Sequence, residues 1–256
     1  MRLIERGRLA AAGLLLLSCL PPATAQVVSR PPTVYNPQVY NRTRQTMSNR
    51  AAARAALERK RRPTTSHGTR PNAPSPSTTP RTQPSVGTTT FRPAAGSIMP
   101  RQMAQAMGKS PAERQRLEKL FSELLDVYHR RLREAGLPQN DVARAASYLV
   151  TASYLVAQDD RVPLDEGQLA ALRRHMSEVF ASDETFRRLN DRERQELFED
   201  YGITATWIDA GYNAVKEAGD REAMKQWREM ARKNFEGLMG APLESVVFTP
   251  GGVRYK

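Results

Sequence analysis

Cysteine is almost missing from this chain of 256 residues, because Cys19 is the only one. If residues 1–25 are removed on export, the remaining chain contains none. Disulfide bonds, thiol catalysis and cysteine-ligated zinc are then excluded. Such a chain must be held together by its hydrophobic core alone.

Long apolar runs are missing as well. The stretch Leu9–Leu20 spans only twelve residues, whereas a helix needs about 20 to cross a bilayer core. Three arginines precede this stretch, and Pro21-Pro22 and then Ala23-Thr24-Ala25 follow it. This order is typical of a secretory signal peptide over residues 1–25. We therefore predict a periplasmic or secreted protein with no transmembrane helix in the mature chain.

A second interpretation of the same segment uses Leu16-Leu17-Ser18-Cys19, which resembles a bacterial lipobox. Cys19 would then become the lipidated N-terminus of an anchored lipoprotein. Leucine is an uncommon choice at the middle lipobox position, and the small residues before Gln26 directly follow a helix breaker. Cleavage after Ala25 is therefore favoured, and the mass of the mature N-terminus distinguishes the two.

Acidic residues are scarce in the first half of the chain. Residues 1–25 contain three Arg and one Glu, a net charge of +2, and residues 26–109 contain fourteen Lys or Arg and one Glu, a net charge of +13. Residues 110–256 contain 22 basic and 25 acidic residues, a net charge of −3. A pI of about 10.2 is typical of nucleic-acid binders, but here no aromatic residues interleave with the charges to stack on bases. Nucleic acid is therefore not the expected partner.

Residues 26–87, which we call the arm, have the composition of a spacer. Between Pro63 and Ile98 there are 7 Pro and 14 Ser or Thr. A segment this poor in apolar side chains cannot offset the entropy lost on folding, so the sequence predicts disorder. The most basic part of the arm is interpreted as a solvated charge run, and contact with an anionic envelope surface is the alternative. The candidate contact residues are Arg50, Arg54, Arg59, Lys60, Arg61 and Arg62.

Residues 110–241 predict an all-α domain, a compact bundle of about five helices. The pattern opens with the capping box Ser110-Pro111-Ala112-Glu113. The second helix, from Val142 to about Gln158, has almost no polar face and is therefore expected at the centre of the bundle. The short connections predict mostly antiparallel neighbours. In the fourth helix, one of Gly202 and Gly211 is predicted to mark a kink or a close helix contact.

Two β-prone segments flank this domain. They lie in a lead-in segment, residues 88–109, and in a C-terminal tail, residues 242–256. Thr88–Pro93 and Ser245–Pro250 are predicted to pair as a small two-stranded ribbon.

The sequence predicts no catalytic, cofactor-binding or metal-binding residue. Histidine is rare, with only three residues, and neither the two-His-plus-Glu metal motif nor a phosphate-binding glycine loop is present. The acidic residues Glu196, Glu199 and Asp200 are interpreted as an exposed helix face. Aromatic residues at helical spacing are interpreted as core, and a sugar or peptide groove is the less favoured alternative.

The order of elements resembles an exported bacterial family known only as a domain of unknown function (DUF6683). The resemblance covers residues 88–252, and it implies an exported helical domain without an assigned activity or a transferable catalytic residue. The segments that carry the resemblance are Phe91-Arg92-Pro93, the helix ending near Tyr128 and Gly136, Asn140–Ala143 with the small-residue helix through Tyr154, Leu169–Arg174 and Val246–Gly251.

These observations predict an exported, non-enzymatic helical module with a basic tether. Its partner is an envelope protein or a second copy of itself, and no cofactor is expected. The alternative is a cell-envelope enzyme, for example one acting on peptidoglycan, that uses carboxylates carried on its helices. A raised carboxyl pKa inside a concave pocket would favour the enzyme.

Overall fold

The computed structural model describes residues 89–159 and 163–256. Within these ranges the chain forms seven α-helices and one two-stranded antiparallel sheet. The helices are α1 (Met99–Met107), α2 (Pro111–Glu134), α3 (Val142–Ala157), α4 (Glu166–Ser182), α5 (Glu184–Arg187), α6 (Asp191–Glu217) and α7 (Arg221–Met239). A 3-10 turn (Leu243–Ser245) leads into β1 (Val246–Thr249) and β2 (Gly252–Tyr255). The predicted helical bundle is confirmed.

Helices α3 and α6 begin at the capping residues that the sequence predicts. Asp141 begins α3 by accepting hydrogen bonds from the amides of Ala143 and Arg144. Asn190 begins α6 with a reciprocal capping box to Glu193. Each cap pairs backbone N–H groups that the first helical turn leaves without a partner. Helix α1 lies in the lead-in segment and was not predicted, because its nine residues are short for recognition by periodicity.

Helix α3 lies at the centre of the bundle, as predicted from its apolar sequence. It packs against α4, α6 and α7. Its contacts with α6 show that these two helices run parallel, because Tyr148 bonds to Thr206 and Asp159, beyond the end of α3, bonds to Tyr212 further along α6. Helices α4 and α5 lie between this pair in sequence and carry the chain back. The pair is therefore not one of the directly connected helices for which antiparallel neighbours were predicted.

The predicted ribbon forms with a different partner strand. Val246–Thr249 pairs with Gly252–Tyr255 and not with Thr88–Pro93. The intervening Pro250-Gly251 turn closes the smallest possible loop, so local pairing costs far less chain entropy than pairing across the domain. Thr90 instead forms an isolated antiparallel bridge with Asp141.

Helices α2 and α6 approach each other at Gly202. A Cβ atom added to Gly202 would lie only 2.6 Å from Cε1 of Tyr128. The Tyr128 ring fills this space and also packs against Phe198, with ring centroids 5.4 Å apart. The predicted role of Gly202 in a close helix contact is therefore confirmed.

We expect the substitution Gly202→Ala to lower the free energy of unfolding by about 2 kcal/mol, because the new methyl group overpacks the core against Tyr128. Urea denaturation of the variant and the wild type measures this difference. The double variant Gly202→Ala with Tyr128→Leu should show a favourable coupling energy, since leucine leaves room for the methyl group. Strictly additive effects would contradict the proposed contact.

Candidate functional site

Residues 89–98, which we call the strap, join the arm to helix α1. The strap is fixed at the start of α3, where the Thr89 hydroxyl donates to the Asp141 carboxylate at 2.9 Å. The Phe91 amide donates to the Asn140 carbonyl at 3.1 Å, and the Asn140 side chain donates to the Phe91 carbonyl at 2.8 Å. The Phe91 ring packs on Phe198, with centroids 5.4 Å apart. Asn140 and Asp141, which were predicted to cap α3, thus also bind the strap.

Helix α6 holds the other end of the strap through two buried polar side chains. Gln195 accepts a hydrogen bond from the Ala94 amide at 2.7 Å and donates to the Gly96 carbonyl at 2.9 Å. Glu199 accepts from the amides of Ile98 and Met99, both at 2.8 Å. Since Ile98 provides no side-chain cap for α1, Glu199 is the side chain that caps this helix from across the domain.

The interpretation of Glu199 and Asp200 as an exposed helix face is wrong. Both residues are buried, and each is only 3% exposed. The predicted inward stripe of α6 is correct, but α6 is buried on most of its circumference between Leu197 and Ile208. The buried partners of Glu199 lie in the strap and in the unpredicted helix α1, so the sequence pattern of α6 gave no sign of them.

Asp200 is a buried carboxyl group with a strongly raised pKa. Burial raises its pKa from 3.8 to about 7. Unlike Glu199, whose oxygens accept backbone and side-chain hydrogen bonds, Asp200 gains nothing that offsets the loss of hydration. At neutral pH this group therefore titrates, which is the property required of a general acid or base.

A second polar cluster joins α2, α3 and α6. The Arg131 guanidinium donates to the Asp209 carboxylate at 2.9 Å and also to the Tyr148 hydroxyl. Asn213 donates to the other Asp209 oxygen at 3.2 Å. Burial raises the pKa of Tyr148, while the positive charge of Arg131 opposes this rise. The Arg131–Asp209 pair is about one-third exposed on both sides, so this cluster fixes three helices together at the edge of the core.

The two helical histidines lie in different surroundings. Burial lowers the pKa of His129, and the His175 ring lies 3.1 Å from the Tyr255 hydroxyl. Among residues 89–159 and 163–256, no group of three or more His, Cys, Asp or Glu side chains could hold a metal ion. The indole side chains of Trp207 and Trp227 are buried in the core, in agreement with the favoured interpretation of the aromatic residues.

A cleft of about 300 Å³ lies between α5 and the start of α6. Glu184 and Glu193 provide its acidic groups, but Glu184 pairs with Arg188 and Glu193 closes the Asn190 capping box. Asp200 is not among the residues that line this cleft. The raised carboxyl pKa and this cleft therefore occur at separate places.

The predicted arm contacts, Arg50, Arg54, Arg59, Lys60, Arg61 and Arg62, lie outside the described residues, as do the predicted signal peptide and Cys19. No helix in the described part of the chain is both long and apolar enough to cross a membrane.

A family of unknown function, DUF6683, matches residues 4–256 of the chain. No curated protein and no solved structure matches it. The family match extends the resemblance found in residues 88–252 over almost the whole sequence.

Proposed function

The chain belongs to DUF6683, a family of unknown function, and on this premise we propose that it is an exported, non-enzymatic binding module. The basic arm holds the protein near an anionic surface of the cell envelope. The helical domain presents a polar face to an envelope protein or to a second copy of the chain.

The strap is the observation that carries this proposal. Its hydrogen bonds to Asn140, Asp141, Gln195 and Glu199 fix the place where the arm leaves the domain. Attachment of the strap through buried hydrogen bonds supports a tether role for the arm, because a force on the arm is then transmitted to the core of the domain. Residues 26–109 carry a net charge of +13, whereas residues 110–256 carry a net charge of −3. This difference supports separate roles for the arm, as a tether, and for the helical domain, as the binding module.

The surface of the domain supports a polar mode of partner recognition. Leu169 and Tyr255 are the large hydrophobic side chains exposed by more than one-third in the described ranges, at 39% and 42%. A stable apolar interface needs a wider patch than two such residues provide. Partner binding should therefore depend on charged and hydrogen-bonding side chains and weaken as salt is raised.

The envelope enzyme remains the second candidate because of one observation, the titrating carboxyl group of Asp200. Its burial away from the α5–α6 cleft argues against it, since a general acid must reach its substrate within hydrogen-bond distance. Peptidoglycan hydrolysis by purified protein that is lost in Asp200→Asn would support this candidate over the module.

We expect deletion of residues 26–87, with the signal segment retained, to move the protein from the envelope fraction to the soluble fraction at low ionic strength. The deletion removes most of the positive charge that attracts anionic surfaces. Fractionation of cells followed by immunoblotting measures the distribution. If the shortened protein fractionates like the wild type, the tether role is ruled out.

Two further variants separate the effect of charge from the effects of arm length and lipidation. Replacing Arg50, Arg54, Arg59, Lys60, Arg61 and Arg62 together by glutamine keeps the length of the arm, and it should release the protein as the deletion does. The variant Cys19→Ser removes the candidate lipidation site and should leave the distribution unchanged. Release by Cys19→Ser alone would identify a lipid anchor instead.

A further inference from the structure

The first three residues of the strap, which we call the anchor segment (residues 89–91), lie in a groove between the start of α3 and the start of α6. Their three successive backbone carbonyls each accept one hydrogen bond from the domain, at 3.0, 3.1 and 2.8 Å in chain order. The donors are the Val142 amide, the Arg194 guanidinium and the Asn140 side chain. The groove thus binds the anchor segment as peptide-binding domains bind an extended peptide, through its main chain.

Two side chains of the anchor segment give the groove a preference for sequence. Phe91 is 5% exposed, and its ring packs on Phe198 with centroids 5.4 Å apart. Thr89 is 2% exposed, and its hydroxyl donates to the Asp141 carboxylate at 2.9 Å. Main-chain hydrogen bonds give affinity for any extended segment, whereas side-chain pockets select among sequences. The groove therefore fits an extended segment with an aromatic residue and a hydroxyl group two positions before it.

Residues 92–97, which we call the bow, connect the anchor segment to the rest of the domain. All six are exposed, although Gln195 bonds to the backbone of Ala94 and Gly96. Gly96 has a φ of 106°, a conformation that glycine adopts far more readily than other residues. A stretch that buries so little surface opens at a lower free-energy cost than the core. Six extended residues span about 20 Å, so a released anchor segment can reach a groove outside its own domain.

We propose that the groove is a peptide-binding site for the anchor segment of a second copy of the chain, so that two chains exchange straps. The anchor segment itself shows which sequence fits, and exchange forms the same contacts between chains that exist within one chain. The bow keeps strap and groove together, so the exchanged dimer gains on the closed monomer as the chain concentration rises. Exchange gives a structural form to the self-association in the proposed function. It needs no envelope surface, so its failure in solution leaves the tether role of the arm intact.

Two variants of the full chain, each lacking one half of the interaction, test the exchange. Phe91→Ala removes the aromatic side chain of the anchor segment and leaves the groove intact. The double variant Asn140→Ala with Arg194→Ala removes two donors of the groove and leaves the strap intact. An equimolar mixture should contain about ten times more 1:1 complex than either variant alone, because only the mixture pairs a released intact strap with an empty intact groove. Size-exclusion chromatography with light scattering measures the complex.

The matched control carries all three substitutions in one chain and is mixed with Phe91→Ala, so that no intact strap is present. This mixture should stay monomeric. Equal amounts of complex in the two mixtures, or no complex in either, would overturn the exchange. Binding of an unrelated phenylalanine-containing peptide to the Phe91→Ala chain, without a complex in the first mixture, would assign the groove to a different protein and would also overturn it.

Cross-linking gives a second measurement if one of these variants does not fold. In a Cys19→Ser background, one chain carries Thr90→Cys and the other carries Arg194→Cys, two positions that a hydrogen bond joins. A bifunctional thiol reagent should link these two chains about five times more efficiently than it links Thr90→Cys to Lys225→Cys. Lys225 is exposed on α7, which does not line the groove. Equal yields from the two pairs would show that the straps are not exchanged.

Discussion

Replacing Asp200 by asparagine is expected to make the protein about 4 kcal/mol more stable than the wild type at pH 8, with almost no difference at pH 4. The pKa of Asp200 is about 7 in the folded chain and 3.8 without burial. The folded state therefore holds a proton that the unfolded state has lost between these values. Each pKa unit corresponds to about 1.4 kcal/mol, so the wild type loses stability as the pH rises from 4 to 7. Stability falls with rising pH because the pKa of Asp200 is higher in the folded chain than in the unfolded chain.

Urea denaturation at intervals from pH 4 to pH 8 tests this prediction. The wild type should become less stable across the range, and Asp200→Asn should remove that slope. Asp126→Asn is the matched control, because Asp126 is exposed on α2 and should change the slope little. Parallel pH profiles of Asp200→Asn and the wild type would show that Asp200 ionises normally.

Replacing Glu199 by alanine is expected to lower the free energy of unfolding by about 3 kcal/mol. The Glu199 carboxylate accepts hydrogen bonds from Ile98, Met99 and Gln195. Its removal leaves two backbone amides of the strap and of α1 without an acceptor, and each buried unpaired group costs about 1–3 kcal/mol. Denaturation with urea gives the total loss, and hydrogen exchange of the Ile98 and Met99 amides localises it.

The pattern of exchange decides whether Glu199 acts on the strap. In Glu199→Ala the Ile98 and Met99 amides should exchange faster than in the wild type, while those in the middle of α3 change only with global stability. Glu217→Ala, at an exposed position of the same helix, should lie within about 0.5 kcal/mol of the wild type. Unchanged protection of Ile98 and Met99 would mean that the strap is held by other contacts.

The sequence was sufficient to predict the helical domain because its helices carry strong local signals. Asp141 and Asn190 are cap residues before long apolar stripes, and both begin helices in the structure. The all-apolar character of α3 predicted its central place. Each of these features depends on residues within one helix, where propensity and periodicity act.

The parts that were mispredicted depend on residues distant in sequence. Gln195 and Glu199 bond to strap residues that lie 101 positions earlier, so their burial does not follow from the pattern of α6. The pairing of Thr90 with Asp141 could not be predicted from the sequence either, because β propensity does not indicate which segment a strand pairs with.

The position of the strap determines how mechanical force enters the domain. A pull on the arm first reaches Thr89 and Phe91, which bond to Asp141 and Asn140 at the start of the central helix. Tension is therefore passed to α3 before it reaches α1, so α1 does not bear the load first. A protein held by its arm and drawn away by a partner would resist the pull through its most deeply buried helix, and the short helix α1 would be shielded from unwinding.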